Sequence, residues 1–158
     1  MSVSMRFLLF FISVFLTVDA NASAKVSYDA ARASVELTAQ LYFYGPGADA
    51  KTVQVIIDEI NLYWNGGTHL NPLLTPLSVT IDSHLVRFHV HVTGQALSRK
   101  AEKELKHHSR SPEDNFIKLF LRGGRSGMGL CSQEGTWYGS DQLGTSTTAA
   151  HEFGHGLC

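Results

Sequence analysis

SVELTAQLYFY, running from Ser34 to Tyr44, continues through Gly45-Pro46-Gly47 into the segment Asp49–Trp64, and this passage sets the layout of the chain. Val35, Leu37, Ala39, Leu41 and Phe43 recur at every second position, with Glu36, Thr38, Gln40 and Tyr42 between them. A period of two puts one set on each face of an extended chain, so the stretch reads as a strand with one buried side. Gly45-Pro46-Gly47 ends it with a turn. The period then changes. Val53, Ile56, Ile57, Ile60 and Tyr63 or Trp64 recur at helical spacing, while Lys51, Gln54, Asp58 and Asn61 face away. Asn65-Gly66-Gly67 supplies the stop.

Downstream, Leu77–Ile81 reads as a short strand and Leu85–Val92 as a longer one, with Asp82-Ser83 turning between them. In the longer strand Val86, Phe88, Val90 and Val92 alternate against Arg87, His89 and His91. Gln95–His108 is polar with a thin stripe of Leu97, Ala101 and Leu105, which predicts a surface helix. Asn115–Leu121 is a further strand, Gly123–Gly129 a glycine-rich loop and Gly135–Gly139 a short edge strand. Thr145 or Ser146 can cap a closing helix. The order predicts an α+β fold: a mixed β-sheet with a long N-terminal helix and a C-terminal helix.

At 158 residues the chain holds one domain at most, and 44% apolar with 17% charged residues is ordinary globular composition. A net charge of −1 argues against a nucleic-acid partner, which selects for a basic excess. The N-terminus carries Arg6, then an apolar run Phe7–Val18 broken only by Ser13 and Thr17. Ala20-Asn21-Ala22 or Ala22-Ser23-Ala24 follows as a small-residue cleavage site. The run is far shorter than the roughly 20 residues that span a bilayer. We therefore expect a signal peptide over 1–22, a mature domain over 23–158 with no stable membrane span, and a secreted, periplasmic or extracellular location. The two cysteines, Cys131 and Cys158, suggest a disulfide in such a compartment.

The chemistry is concentrated in His151-Glu152-Phe153-Gly154-His155-Gly156-Leu157-Cys158. On a helix, positions i and i+4 share a face, so His151 and His155 can reach one metal ion. Neutral imidazole suits Zn²⁺. Glu152 points roughly 100° around the helix, beside the metal, where a carboxylate can accept a proton from an activated water.

From Thr147 onward this sequence resembles the opening of the metzincin zinc motif, H-E-x-x-H-x-x-G-x-x-H. Its H-E-F-G-H form is similar to the matrixin branch. The resemblance implies a zinc-dependent metalloendopeptidase acting on protein or peptide substrates, with His151 and His155 as zinc ligands and Glu152 as general base toward a zinc-activated water. It also implies the metzincin N-terminal subdomain, and an edge strand, here Gly135–Gly139, that pairs with extended substrate. Cys158 stands where the family has glycine, and the third histidine and Met-turn would fall beyond it. The expected domain is thus a C-terminally incomplete N-terminal subdomain. A Cys158 thiolate or its terminal carboxylate, at i+7 from His151, is a candidate third ligand. His89 and His91 share a strand face and read more simply as polar outer positions, as His107-His108 reads as solvated. Asp141 reads as a turn residue or as a support for the site. The loop Arg122–Gly127 lacks the Lys-Ser/Thr ending of a phosphate-binding loop. The competing expectation is a catalytically silent exported binding domain derived from a truncated metalloprotease.

Overall fold

The computed structural model describes residues 23–72, 77–107 and 111–157, so the expected leader, His108 and Cys158 lie outside it. Strand β1 (Lys25–Asp29) and strand β2 (Ser34–Tyr44) lead into helix α1 (Ala50–Trp64). Strands β3 (Ser78–Ile81) and β4 (His84–Ala96), helix α2 (Arg99–His107) and strand β5 (Asp114–Phe120) follow. Strands β6 (Gly127–Met128) and β7 (Glu134–Tyr138) precede helix α3 (Thr148–Leu157). The sheet runs β3-β4-β2-β5-β7-β6, with β1 also paired to β2. β2 is parallel to β4 and β5, and β5 to β7, while β1, β3 and β6 lie antiparallel to their partners. This is the expected α+β arrangement with a mixed sheet.

Alternation in β2 does what its pattern requires. Ala39, Leu41 and Phe43 are buried with Val90 and Val92 of β4 and Ile117 and Leu119 of β5. Val53, Ile56, Ile57 and Ile60 of α1 and Ala149 and Phe153 of α3 complete the same core. Trp137 of β7 is fully buried and meets Phe43 edge-on at 5.8 Å. Asp49 caps α1 by accepting the N–H groups of Lys51 and Thr52, both at 3.0 Å. Asp82 (φ 48) and Ser83 (φ 66) form the two-residue turn expected between β3 and β4, both in the left-handed region that such hairpins need.

Gly94 lets α1 sit close to the sheet. A Cβ there would come within 2.4 Å of Ile57 Cγ1 and 3.0 Å of Val53 Cγ1. Gly94→Ala should cost about 1–3 kcal/mol through overpacking, read from the urea-unfolding midpoint. An unchanged midpoint would show that α1 can slide to make room.

The structure departs from the expectations at several places. Asn61 does not face away: its side chain donates to Val92 O and accepts from Val92 N, each at 2.8 Å. Asn65, one turn on, pairs in the same way with Val90 at 2.8 and 3.0 Å. β3 pairs with β4 only as far as Arg87, so two amides of α1 satisfy the strand edge beyond it. Gly135–Gly139 is not an edge strand, because β7 lies between β5 and β6. The outer strand on that side is β6, inside the stretch expected to be a loop; two residues are too few to show a period. β4 runs on to Ala96, so α2 starts later than Gln95, with Ser98 Oγ accepting Ala101 N at 3.2 Å. β1 has no counterpart in the expectation, because four of its five residues are exposed and show no buried face.

Candidate metal centre

The site is built on α3, and α3 is held at its head by a residue of α1. Glu59, 1% exposed, accepts the N–H groups of Ala149 at 2.7 Å and Ala150 at 3.3 Å, and that of Gly144 in the preceding loop. The N–H groups of Ala149 and Ala150 are ones a helix start leaves without partners. Ser146 Oγ accepts Thr148 N at 3.1 Å, so of the two expected caps it is Ser146 that serves. Burial pushes the Glu59 carboxyl above the usual range, opposed by the bonds from Gly144, Ala150 and Ala149 and by the charge of His69. Gly144 has φ +83, and a Cβ there would lie 2.2 Å from Val55 Cγ1, so a glycine is needed to bring this N–H to Glu59.

The back of α3 packs on Trp64, whose indole N–H donates to Ala150 O at 2.9 Å and whose ring meets Phe153 edge-on at 6.1 Å. The motif's first glycine belongs to this contact: a Cβ at Gly154 would stand 3.0 Å from Trp64. With the apolar side so anchored, the opposite side of α3 presents His151 and His155. Their Nε2 atoms are 3.1 Å apart and their rings are nearly perpendicular, at 85°. His151 is exposed and His155 half-buried.

Glu152 is buried, and its Oε2 accepts Met128 N of β6 at 2.9 Å. One ligand atom from each of His151, Glu152 and His155 falls within 4.8 Å of the others. This His–Glu–His group near the C-terminus can hold a metal ion. It opens on a cavity of about 390 Å³ between α3 and the loop before β6. Arg125, Ser126 and Asp141 line one side; Thr147, Thr148, His151 and Glu152 line the other. Asp141 accepts Ser126 N at 2.6 Å, and hydrogen bonding from Ser126 holds its carboxyl below the usual range. Asp141 therefore ties the glycine-rich loop to the segment ahead of α3, the supporting one of the two roles expected for it. Cys131 braces the far end, donating its N–H to His155 O at 3.0 Å, and is disulfide-bonded.

The other histidines stand apart. His89 and His91 are exposed on β4, as the outer-face reading expects, and His107 is exposed on α2. His69, which carried no signal in its turn-rich loop, sits at the head of α3 with Nε2 3.1 Å from Ser146 O. The sequence reading also missed Glu59. Its signal was present: it lies on the apolar stripe of α1, three residues after Ile56 and next to Ile60.

No family model, no curated protein and no solved structure matches the chain. Among the described residues, no helix is long and apolar enough to cross a membrane.

Proposed function

We propose that this chain is an exported zinc-dependent metalloendopeptidase of metzincin type, with His151 and His155 as zinc ligands and Glu152 as general base. The observation that carries the reading is the 3.1 Å approach of the two Nε2 atoms beside a buried carboxylate. Two nitrogens bound to one tetrahedral zinc at about 2.0–2.1 Å stand about 3.3 Å apart, close to the spacing found. Two imidazole nitrogens are also donors that suit zinc.

Bound there, zinc would polarise a scissile carbonyl and acidify a water. The chain's own part is positioning. Met128 N holds Oε2 of Glu152, which leaves Oε1 to take a proton from a water in the cavity and pass it to the leaving amine. β6, at one end of the sheet, lies against α3 and offers an extended peptide a place alongside the site. A catalytic zinc normally has three protein ligands, so a donor beyond the two imidazoles completes the set. The silent-domain reading draws on the same Glu152–Met128 bond, which would equally suit a carboxylate with a purely structural task.

Metal content tests the proposal. After incubation with zinc and gel filtration, we expect one zinc per chain, and background in His151→Ala and His155→Ala. His89→Ala should retain the metal. Background zinc in the native chain, or full zinc in both histidine variants, would remove the zinc reading.

A further inference from the structure

We propose that Arg125 is a specificity-determining residue of the α3 cavity, and that it selects substrates with a carboxylate side chain within two residues of the scissile bond. The inference deepens the peptidase reading and rests on it for the bond that is cut. The binding step is measurable without turnover.

Arg125 lies in the loop between β5 and β6, and its neighbours on both sides are anchored. Ser126, 5% exposed, donates its N–H to Asp141 Oδ2 at 2.6 Å, and its Oγ accepts the N–H of Tyr138 at 2.9 Å. On the other side Gly124 lies against the Tyr138 ring, where a Cβ would come within 2.4 Å of Cζ. Glycine is what lets the backbone approach the ring so closely. Between these fixed points the Arg125 side chain is exposed and lines the same cavity as His151 and Glu152.

The fold makes no use of the guanidinium. Among the described residues it forms no ion pair and no side-chain hydrogen bond. Asp141 feels its charge, but that carboxylate is held by Ser126. An unpaired guanidinium presents a planar fork of donors that matches the two oxygens of a carboxylate. Charge balance points the same way. With a divalent ion on the two histidines, the ion and Arg125 outweigh Asp141 and Glu152, so the cavity attracts an anionic side chain and repels lysine or arginine. Reach sets the position. The cavity holds about 390 Å³, and an extended peptide advances about 3.3 Å per residue. A substrate whose carbonyl sits beside His151 and Glu152 therefore meets Arg125 with a side chain close to that carbonyl in sequence. A chain terminus offers the same carboxylate chemistry, and amidated peptides separate the two sources.

The test uses the zinc-loaded chain and C-terminally amidated peptides of one neutral sequence, in which a single Glu or Gln is moved from position to position. Affinity is measured by fluorescence anisotropy on the Glu152→Gln chain, so that no peptide is consumed. Cleavage sites are read by mass spectrometry with the native chain. Glu at the favoured position should bind about 10-fold tighter than Gln, and the cut should fall within two residues of it. Arg125→Ala should lose that advantage, Arg125→Lys should keep part of it, and Arg125→Glu should transfer the preference to Lys. Zinc content and melting temperature of these variants should match the native chain, which separates lost recognition from misfolding. Equal affinity for Glu and Gln peptides, or a preference that survives in Arg125→Ala, would overturn the inference while cleavage by the native chain keeps the peptidase reading. A preference confined to peptides with a free C-terminus would overturn the side-chain assignment. The expected preference in binding with no cleavage at all would overturn the peptidase reading and leave Arg125 as a carboxylate-recognition residue.

Discussion

Glu59→Ala should lower the stability of the chain by about 3–5 kcal/mol, measured by urea unfolding at pH 7. The side chain is nearly inaccessible and serves three backbone N–H groups, two of them at the head of α3. Alanine leaves those donors buried with no acceptor, at about 1–3 kcal/mol each, the weakest being the 3.3 Å bond from Ala150. Against a total of about 5–15 kcal/mol for a domain of ordinary stability, the loss is large. A loss under about 1 kcal/mol would show that Ser146 and the Trp64–Phe153 contact hold α3 without Glu59. The same residue gives the stability a pH dependence. Burial raises its carboxyl in the folded state, so the folded chain keeps the proton more tightly than the unfolded one. Its contribution is therefore complete below the ordinary carboxyl range, about 4.3, and is lost as pH rises through the raised folded value. Measured against Glu59→Gln, which does not titrate, the stability margin of the native chain should narrow on raising the pH from 4.

The contrast between Glu59 and His151 shows where sequence reading works. Local periodicity made β2, α1, β4 and β5 legible, because each buries one face and the alternation of Val35–Phe43 or the spacing of Val53–Ile60 records it directly. The candidate metal group was legible for the same reason, since His151, Glu152 and His155 share one helix and their geometry follows from its pitch. Long-range polar partners leave a weaker trace. Asn61 looks like a solvent-facing polar position and Asn65 like part of a helix stop until β4 is placed beside them, and only then do two amides become the cover of a strand edge. Glu59 did leave a trace, a carboxylate on an apolar stripe, but its partners lie 85 to 91 positions away. β6 left none. Its two residues matter because Met128 N meets Glu152, a contact across 24 positions that no local pattern encodes.

Under the peptidase reading, Glu152→Gln should reduce hydrolysis of an unstructured protein substrate by about 10²–10⁴-fold in the zinc-loaded chain, with zinc content unchanged. Glutamine is the informative replacement because Glu152 has two tasks. Its Oε2 satisfies Met128 N in a buried setting, and a glutamine carbonyl can do the same while being unable to act as a base. Stability should then stay within about 1 kcal/mol of native, whereas Glu152→Ala, which leaves Met128 N unpaired, should cost about 1–3 kcal/mol. The pair separates support from chemistry: both variants lose turnover, but only alanine loosens β6 from α3. Turnover retained in Glu152→Gln would remove the general-base role. Absence of turnover in the native zinc-loaded chain, with the stability ranking preserved, would favour the silent domain, because the Met128 bond alone then accounts for a buried carboxylate at this position.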